Sequence, residues 1–259
     1  MGKKPWKLAD ITQKDVLGLG SPAYEVAIIP FGSTEPHNFH LPYGSDHYEA
    51  SHIADALCAR AWQKGARVVQ LPTVPYGVDW NMIEFPMAIH MSPSTHLAIL
   101  RDILKSLKAH NIMKVIVLNS HGGNEFKGHL RELHAETDQF LCLVDWWKCC
   151  QDKAEKIFST QGEHAGQMET SVCLHFFPEL VNMKHATKGK TRKSRFKEIE
   201  NGSVWMSRPW HLLTENSGHG DPMDSSAEKG KRYMEAITEE LGQFIAELSA
   251  AKMDKKFPY

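Results

Sequence analysis

The sequence has almost no excess charge of either sign: its 259 residues include 30 Lys and Arg against 31 Asp and Glu. A net charge of -1 provides no field that would gather phosphate backbones or anionic lipid, so nucleic acid is not an expected partner. Long apolar runs are also missing, and none approaches the ~20 residues that span a bilayer. Without an apolar segment of signal-peptide length near its start, the sequence predicts a cytoplasmic protein with no membrane partner.

Cysteine is sparse, with five residues and no CxxC pair. This odd set favours reduced thiols over a disulfide framework. Even the adjacent Cys149 and Cys150 are expected to be ordinary thiols, because a vicinal disulfide needs a strained peptide. Histidine, by contrast, occurs 15 times and is the commonest metal ligand and general base near neutral pH. We therefore expect the chemistry where histidines cluster with carboxylates.

A length of 259 residues and a hydrophobic content of 42% predict one α/β domain over residues 1–259. Short β-branched runs predict strands at residues 26–31, 68–71, 115–118 and 140–144. Helical spacing predicts helices over residues 46–64, 94–110, 124–138, 165–177 and 226–250. This alternation indicates a mostly parallel sheet whose ligands bind at the carboxyl ends of the strands. Residues 72–93 form a loop that is long enough to be functional.

The first motif, GSTEPHNFHLPYGSD at residues 32–46, follows the first predicted strand. Glu35 and His37 are two residues apart, so both side chains can point to one side of an extended backbone, and Asp46 can return to them across a Pro/Gly turn. Mixed imidazole and carboxylate ligands suit zinc, manganese or iron. Alternatively, Asp46 only caps the helix that follows it. His40 is expected to orient a neighbour, and a structural or exposed role is expected for His47, His52 and His90.

Two further motifs carry histidine. LNSHGGN at residues 118–124 places His121 directly after a predicted strand, followed by two glycines that permit close backbone approach. EHAGQMETS at residues 163–171 places His164 and Glu169 near the start of a predicted helix. The plainer alternatives are that His164 is a capping or surface group and that Glu169 is a carboxylate favoured by the helix amino terminus.

Taken together, the three ordered motifs resemble the creatininase (creatinine amidohydrolase) family over about residues 26–180. The resemblance implies a three-layer α/β sandwich with a mostly parallel sheet flanked by helices. It also implies a metal-dependent amidohydrolase that cleaves a carbon-nitrogen bond other than a peptide bond with water activated by two divalent ions. Zinc is the first choice for these ions, and manganese and iron are alternatives. A small-molecule amide substrate and a homo-oligomer as large as a hexamer are further expectations.

The resemblance also implies roles for individual residues. Glu35 and His121 match ligands of the first metal, His37 matches a ligand of the second, and Asp46 matches the carboxylate that bridges both. Creatininases proper take another carboxylate two positions after the motif histidine, where this chain has Gly123. That glycine is typical of an HGGN branch that includes a formamidopyrimidine deformylase and the peptidase of mycofactocin maturation. Glu169 is predicted to replace the missing ligand, and it forms the predicted catalytic pair with His164, which passes protons.

Several departures from the family pattern argue against creatinine as substrate. Asn38 and Phe39 replace the usual Gly-Pro, residues 81–88 lack a family histidine, and Gln167 stands where Glu is common. Two alternative functions stay open: a metal- or ligand-binding homologue without catalysis, and an oligomeric structural protein. A planar substrate could be bound by an aromatic wall, although core positions are favoured for Trp80, Trp146 and Trp147. The basic residues between positions 184 and 197 could bind a phosphate, but a solvated loop is favoured.

Overall fold

A parallel four-stranded sheet forms the centre of the computed structural model, which describes residues 3–160 and 162–259. The strands lie in the order β2-β1-β3-β4, and each crossover between them contains a helix, as parallel pairing requires. Their bounds are β1 (Val26–Phe31), β2 (Val68–Gln70), β3 (Lys114–Asn119) and β4 (Phe140–Asp145).

The helices agree with the periodicity, with shifts at their ends. In chain order they are α1 (Gln13–Leu17), α2 (Ser45–Gln63), α3 (Pro93–Ala109), α4 (Phe126–His134), α5 (Gln151–Ile157), α6 (Gln167–Phe176), α7 (Lys197–Glu200), α8 (Trp210–Leu213) and α9 (Ala227–Ala250). Single 3-10 turns lie at Leu8–Asp10, Trp80–Met82, Trp146–Lys148, Pro178–Leu180 and Met183–His185.

Two predicted helices are shorter than expected. Helix α4 ends at His134, not at residue 138, because the chain turns there to enter β4. Helix α6 begins at Gln167, not at residue 165, because Ala165 has a φ of 50° and Gly166 is extended. Neither conformation can continue into a helix.

Strand side chains alternate between two hydrophobic layers. Val26 and Ile28 pack on the side of α2, α6 and α9, whereas Ala27, Ile29 and Phe31 pack on the side of α3 and α4. Burial on both faces explains why β1 and residues 115–118 of β3 are apolar, and it confirms the predicted three-layer α/β arrangement. Within the described residues, no helix combines the length and the apolar character needed to cross a membrane.

The register of the sheet brings two motifs together. Phe31 at the end of β1 pairs with Asn119 at the end of β3, and Ser120 donates its backbone N–H to the Phe31 carbonyl at 2.9 Å. The segments that begin at Gly32 and Ser120 therefore leave the same edge of the sheet side by side. The site lies at this edge, where ligands of parallel sheets bind.

Candidate metal centre

The five predicted ligands lie together at the carboxyl edge of the sheet. His121 Nδ1 is 2.9 Å from Glu35 Oε1 and 3.0 Å from Asp46 Oδ2. On the other side, His37 Nε2 is 2.9 Å from Asp46 Oδ1 and 3.4 Å from Glu169 Oε1. Asp46 thus turns one carboxylate oxygen toward each histidine. Three groups of described side chains could each hold a cation, and two of them share Asp46: Glu35, Asp46 and His121, and His37, Asp46 and Glu169. The third group is Glu35, His37 and His164.

Two of the carboxylate oxygens in these contacts fit metal ligands better than hydrogen-bond acceptors. Glu35 Oε1 and Asp46 Oδ2 are buried and have no hydrogen-bond partner among the described residues, although His121 Nδ1 lies within 3.0 Å of each. The distances are short, but no N–H points along them. A buried carboxylate oxygen without a donor is costly unless a cation neutralises it. Oxygen and nitrogen lone pairs that converge in this way suit a divalent cation such as zinc or manganese.

Hydrogen bonds on the far side of each ring assign which nitrogen faces the cluster. His37 Nδ1 lies 3.0 Å from the Glu35 carbonyl, an acceptor only, so Nδ1 carries a hydrogen. Its Nε2 meets Asp46 Oδ1 in hydrogen-bond geometry at 2.9 Å, so a cation bound at Nε2 would take the place of a hydrogen there. His121 Nε2 lies 3.4 Å from the Val78 carbonyl, which leaves the lone pair of its Nδ1 free. Backbone partners of this type commonly orient metal-binding histidines.

Burial and mutual charge shift the pKa values of the carboxylates and histidines in the cluster. Burial and the carboxylates of Asp79 and Asp46 raise the pKa of Glu35 to about 8, although His121 acts in the opposite direction. Burial alone would raise the pKa of Asp46, but His37 and His121 lower it. Burial would likewise lower the pKa of both histidines, but the adjoining carboxylates raise it well above its ordinary value. The carboxylates therefore need positive charge beside them, which protons or divalent cations can provide.

Asp46 and Glu169 both lie near the start of a helix, but neither acts only as a helix cap. Asp46 lies in the first turn of α2, but no side chain caps that helix, and both Asp46 oxygens face histidines. Glu169 Oε2 accepts the backbone N–H of Ala165, while its Oε1 faces His37. The capping alternative for Asp46 is therefore wrong, and Glu169 combines contact with its own helix start and contact with the cluster.

His164 lies over the cluster at the wall of a cavity of about 630 Å³. Its Nε2 lies 3.0 Å from the Pro36 carbonyl, so Nε2 carries the hydrogen, and its Nδ1 faces Glu35 Oε1 at 3.8 Å. The ring packs against His37 and Trp210, with centroid distances of 4.2 and 5.2 Å. Burial, followed by repulsion from His37, lowers the pKa of His164 to about 4. The imidazole is thus neutral at neutral pH.

Hydrogen bonds of Asn38 anchor the segment that carries His37. This residue has a φ of 55°, a left-handed conformation that asparagine tolerates better than most residues and that explains why glycine suits the same position. Its Nδ2 donates to the Thr187 carbonyl at 2.6 Å, and its Oδ1 accepts from Thr187 Oγ1 at 3.0 Å. Its backbone N–H donates to Ser217 Oγ at 2.9 Å. The polar network joins the motif to two distant loops.

The remaining predicted histidines lie outside the three possible ligand groups in the part of the chain that the structure describes. His40 Nε2 lies 2.9 Å from Thr170 Oγ1, and burial lowers the pKa of His40 to about 4. His47 packs on Tyr48, His52 stacks on Phe176, and His90 Nδ1 accepts the backbone N–H of Asp79 at 3.1 Å.

Of the three tryptophans considered from the sequence, Trp146 and Trp147 line the cavity. Trp80 is 67% exposed and is not among the described residues of the cavity wall. Trp146 is also a core residue, so both interpretations apply to it. All seven basic residues of the 184–197 segment are exposed, which supports a solvated loop.

Sequence reasoning missed several residues of the site. Asp79 lies 3.0 Å from His121 Nε2, and Glu49 accepts hydrogen bonds from Ser120 and Cys173 just below the cluster. Glu49 follows Asp46 by three positions, so helical spacing could have placed it on the same face. Asp79 stands in the loop after β2, where the strand-end rule could have drawn attention to it. No periodic pattern marks the other missed cavity residues, Trp205, Arg208 and Trp210.

Comparison with known proteins agrees with this geometry. A family profile described as creatinine amidohydrolase matches residues 9–245. A mycofactocin precursor peptide peptidase from Mycobacterium ulcerans (strain Agy99) is 26% identical over 228 residues, covering 85% of this chain and 84% of that protein. A 2-amino-5-formylamino-6-ribosylaminopyrimidin-4(3H)-one 5'-monophosphate deformylase from Methanobrevibacter smithii is 28% identical over 152 residues, covering 58% and 59%.

Solved structures agree as well. A crystal structure from Bacteroides fragilis NCTC 9343, provisionally described as a creatinine amidohydrolase, superposes with a TM-score of 0.90 at 33% identity. The match covers 98% of this chain and 100% of that one. Because the family profile spans nearly the whole chain and the motif residues meet at one edge of the sheet, this protein belongs to the creatinine amidohydrolase family.

Proposed function

We propose that this chain is a metal-dependent hydrolase that cleaves a carbon-nitrogen bond of a small molecule, with two divalent cations at the candidate centre. Glu35 and His121 would hold one cation, His37 and Glu169 the other, and Asp46 both. The observation that carries the proposal is the pair of buried carboxylate oxygens, Glu35 Oε1 and Asp46 Oδ2, that face His121 Nδ1 and have no hydrogen-bond partner among the described residues. Zinc is the first choice, with manganese and iron as alternatives.

Cations held there would supply Lewis acidity, which lowers the pKa of a water molecule and polarises a carbonyl group. His164 would perform the proton transfers. Its neutral Nδ1 faces the cluster and the cavity, so it can accept a proton from the attacking water and deliver it to the departing nitrogen. The hydrogen bond to the Pro36 carbonyl and the packing against Trp210 fix the ring in that orientation.

The cavity supports a substrate of modest size. Its volume of about 630 Å³ lies within the range of small-molecule sites, and its walls combine carboxylates with aromatic side chains. Two relatives are named for chemistry at carbon-nitrogen bonds: a deformylase and a peptidase. We propose an amide, formamide or cyclic amide as the scissile group, and a short peptide is the second candidate because the peptidase relative matches most of the chain.

In a homologue that binds metal without catalysis, nothing would require His164 Nδ1 to face the cluster. A structural oligomer that lacks metal would have only protons to compensate the buried carboxylates of Glu35 and Asp46. A homo-oligomer that is also an enzyme agrees with the proposal, and light scattering of the purified protein measures that assembly directly.

The test combines metal removal, a single substitution and a substrate screen. Asp46→Asn should abolish binding of both cations and all hydrolysis, because this carboxylate belongs to both of the ligand groups proposed to hold them. Asp102→Asn is the control, since it removes the same charge from an exposed helix position. Formamides, lactams and short peptides are assayed with wild-type protein before and after chelation. Metal-loaded wild-type protein that hydrolyses none of them would favour the non-catalytic homologue, and protein that binds no metal would favour the structural one.

A further inference from the structure

Asp79 is a fully buried carboxylate beside the candidate centre, at 0% exposure. It precedes the 3-10 turn Trp80–Met82, a position where aspartate usually caps the helix, yet its side chain makes no capping hydrogen bond. Its backbone alone serves the turn, through the Asp79 carbonyl, which accepts the Met82 N–H at 2.9 Å. Local helix capping therefore does not explain this carboxylate.

Both oxygens of Asp79 face the candidate centre. Oδ2 accepts the hydroxyl hydrogen of Ser33, the second residue after β1, and Oδ1 lies 3.0 Å from His121 Nε2. The Nε2–H points to the Val78 carbonyl at 3.4 Å, and Asp79 Oδ1 beside it is buried without a hydrogen-bond partner among the described residues. Because both neighbours of Nε2 are acceptors only, Nε2 must carry the hydrogen. Nδ1 is then left with a lone pair, which faces Glu35 and Asp46.

The backbone at Gly77 and Gly123 packs closely on the His121 ring and leaves it beside Asp79. A Cβ atom at Gly77 would lie 2.8 Å from His121 Cδ2 and 2.7 Å from Ser33 Oγ. A Cβ atom at Gly123 would press on His121 Nε2 and lie 2.6 Å from the Val78 carbonyl. The loop that carries Asp79 can therefore wrap around the ring only because both positions lack side chains.

We propose that Asp79 is a positioning residue: it fixes the tautomer and the orientation of His121 and makes its Nδ1 a stronger ligand. This inference rests on the proposed function, because it requires His121 to bind a cation. A carboxylate behind a metal-bound histidine increases the basicity of the ring, and loss of such a partner commonly weakens metal binding about 10- to 100-fold. Asp79 is buried and is not among the described residues that line the cavity, so it would act through His121 alone.

The test measures the zinc dissociation constant by competition with a chelating dye. Asp79→Asn keeps the shape of the side chain and removes its charge, so binding should weaken about 10-fold, and Asp79→Ala should weaken it up to about 100-fold. Glu84→Gln removes a charge from an exposed position of the same loop and should leave the constant unchanged. In 15N-histidine NMR spectra of the zinc form, the His121 Nε2–H should exchange with water faster in the alanine variant than in wild-type protein, because only the Val78 carbonyl remains as its acceptor.

A His121→Ala background separates positioning from general stabilisation. If Asp79 acts through His121, Asp79→Ala should weaken residual metal binding there by no more than about twofold. An equal loss in both backgrounds, or folded variants with wild-type affinity, would overturn the inference. Should the alanine variant not fold, the asparagine variant decides: unchanged affinity with a lowered melting temperature makes Asp79 merely structural. Wild-type protein without zinc affinity would overturn this inference and the proposed function together.

Discussion

Gly123→Ala should destabilise the protein, although the same change usually stabilises. Where the backbone permits it, replacing glycine by alanine adds about 0.4–1 kcal/mol by restricting the unfolded chain. The φ of Gly123 lies outside the left-handed region, so the backbone permits alanine. The added methyl, however, would lie 2.6 Å from the Val78 carbonyl and press on the His121 ring. Overpacking of this kind costs about 1–3 kcal/mol, so we expect a net loss of about 1–2 kcal/mol.

The neighbouring glycine provides the matched control. A methyl group at Gly122 would meet nothing within 4 Å, so Gly122→Ala should be neutral or slightly stabilising. Denaturant unfolding of the metal-free variants measures both changes, and zinc competition shows whether the displaced ring of His121 also weakens metal binding. If Gly123→Ala is as stable as Gly122→Ala and binds zinc equally well, the close packing around His121 is wrong.

Other predictions concern the segments that hold the site in place. Asn38→Gly should be more stable than Asn38→Ala by about 1 kcal/mol in denaturant unfolding, the reverse of the usual order, because only alanine is strained at a φ of 55°. Lys114→Met should lower the free energy of unfolding by about 1.5–3 kcal/mol, because its ammonium donates to the Ser249 and Ala251 carbonyls at the end of α9. Lys127→Met, at an exposed position, should change it by less than about 0.5 kcal/mol. Equal effects of the two lysine substitutions would contradict this account.

The strands and the motif turns could be predicted because their signals are local. An apolar run such as residues 115–118 is recognisable without knowledge of its neighbours, and the strand-end rule then places Glu35 and His121 at one edge. The sharing of Asp46 between two histidines is different, since it depends on how α2 packs beside β1. Spacing made that arrangement plausible but could not distinguish it from helix capping.

The rest of the site depends on contacts between distant, irregular segments. Asp79 belongs to a loop without periodicity, and only the fold brings it against His121, 42 positions later in the sequence. Likewise, Trp205 and Arg208 reach the cavity on a segment whose polar and aromatic residues follow no helical or strand period. The glycine at position 123 was recognised as a departure from the creatininase pattern, but its packing against the Val78 carbonyl requires coordinates.

The most direct test of the central claim is anomalous X-ray diffraction at the zinc edge from crystals of the zinc-loaded protein. The account predicts two anomalous peaks, one on each side of the Asp46 carboxylate. One peak should lie within coordinating distance of Glu35 and His121, and the other within that distance of His37 and Glu169. A single peak, or peaks that Asp46 does not contact, would contradict the proposed two-metal centre.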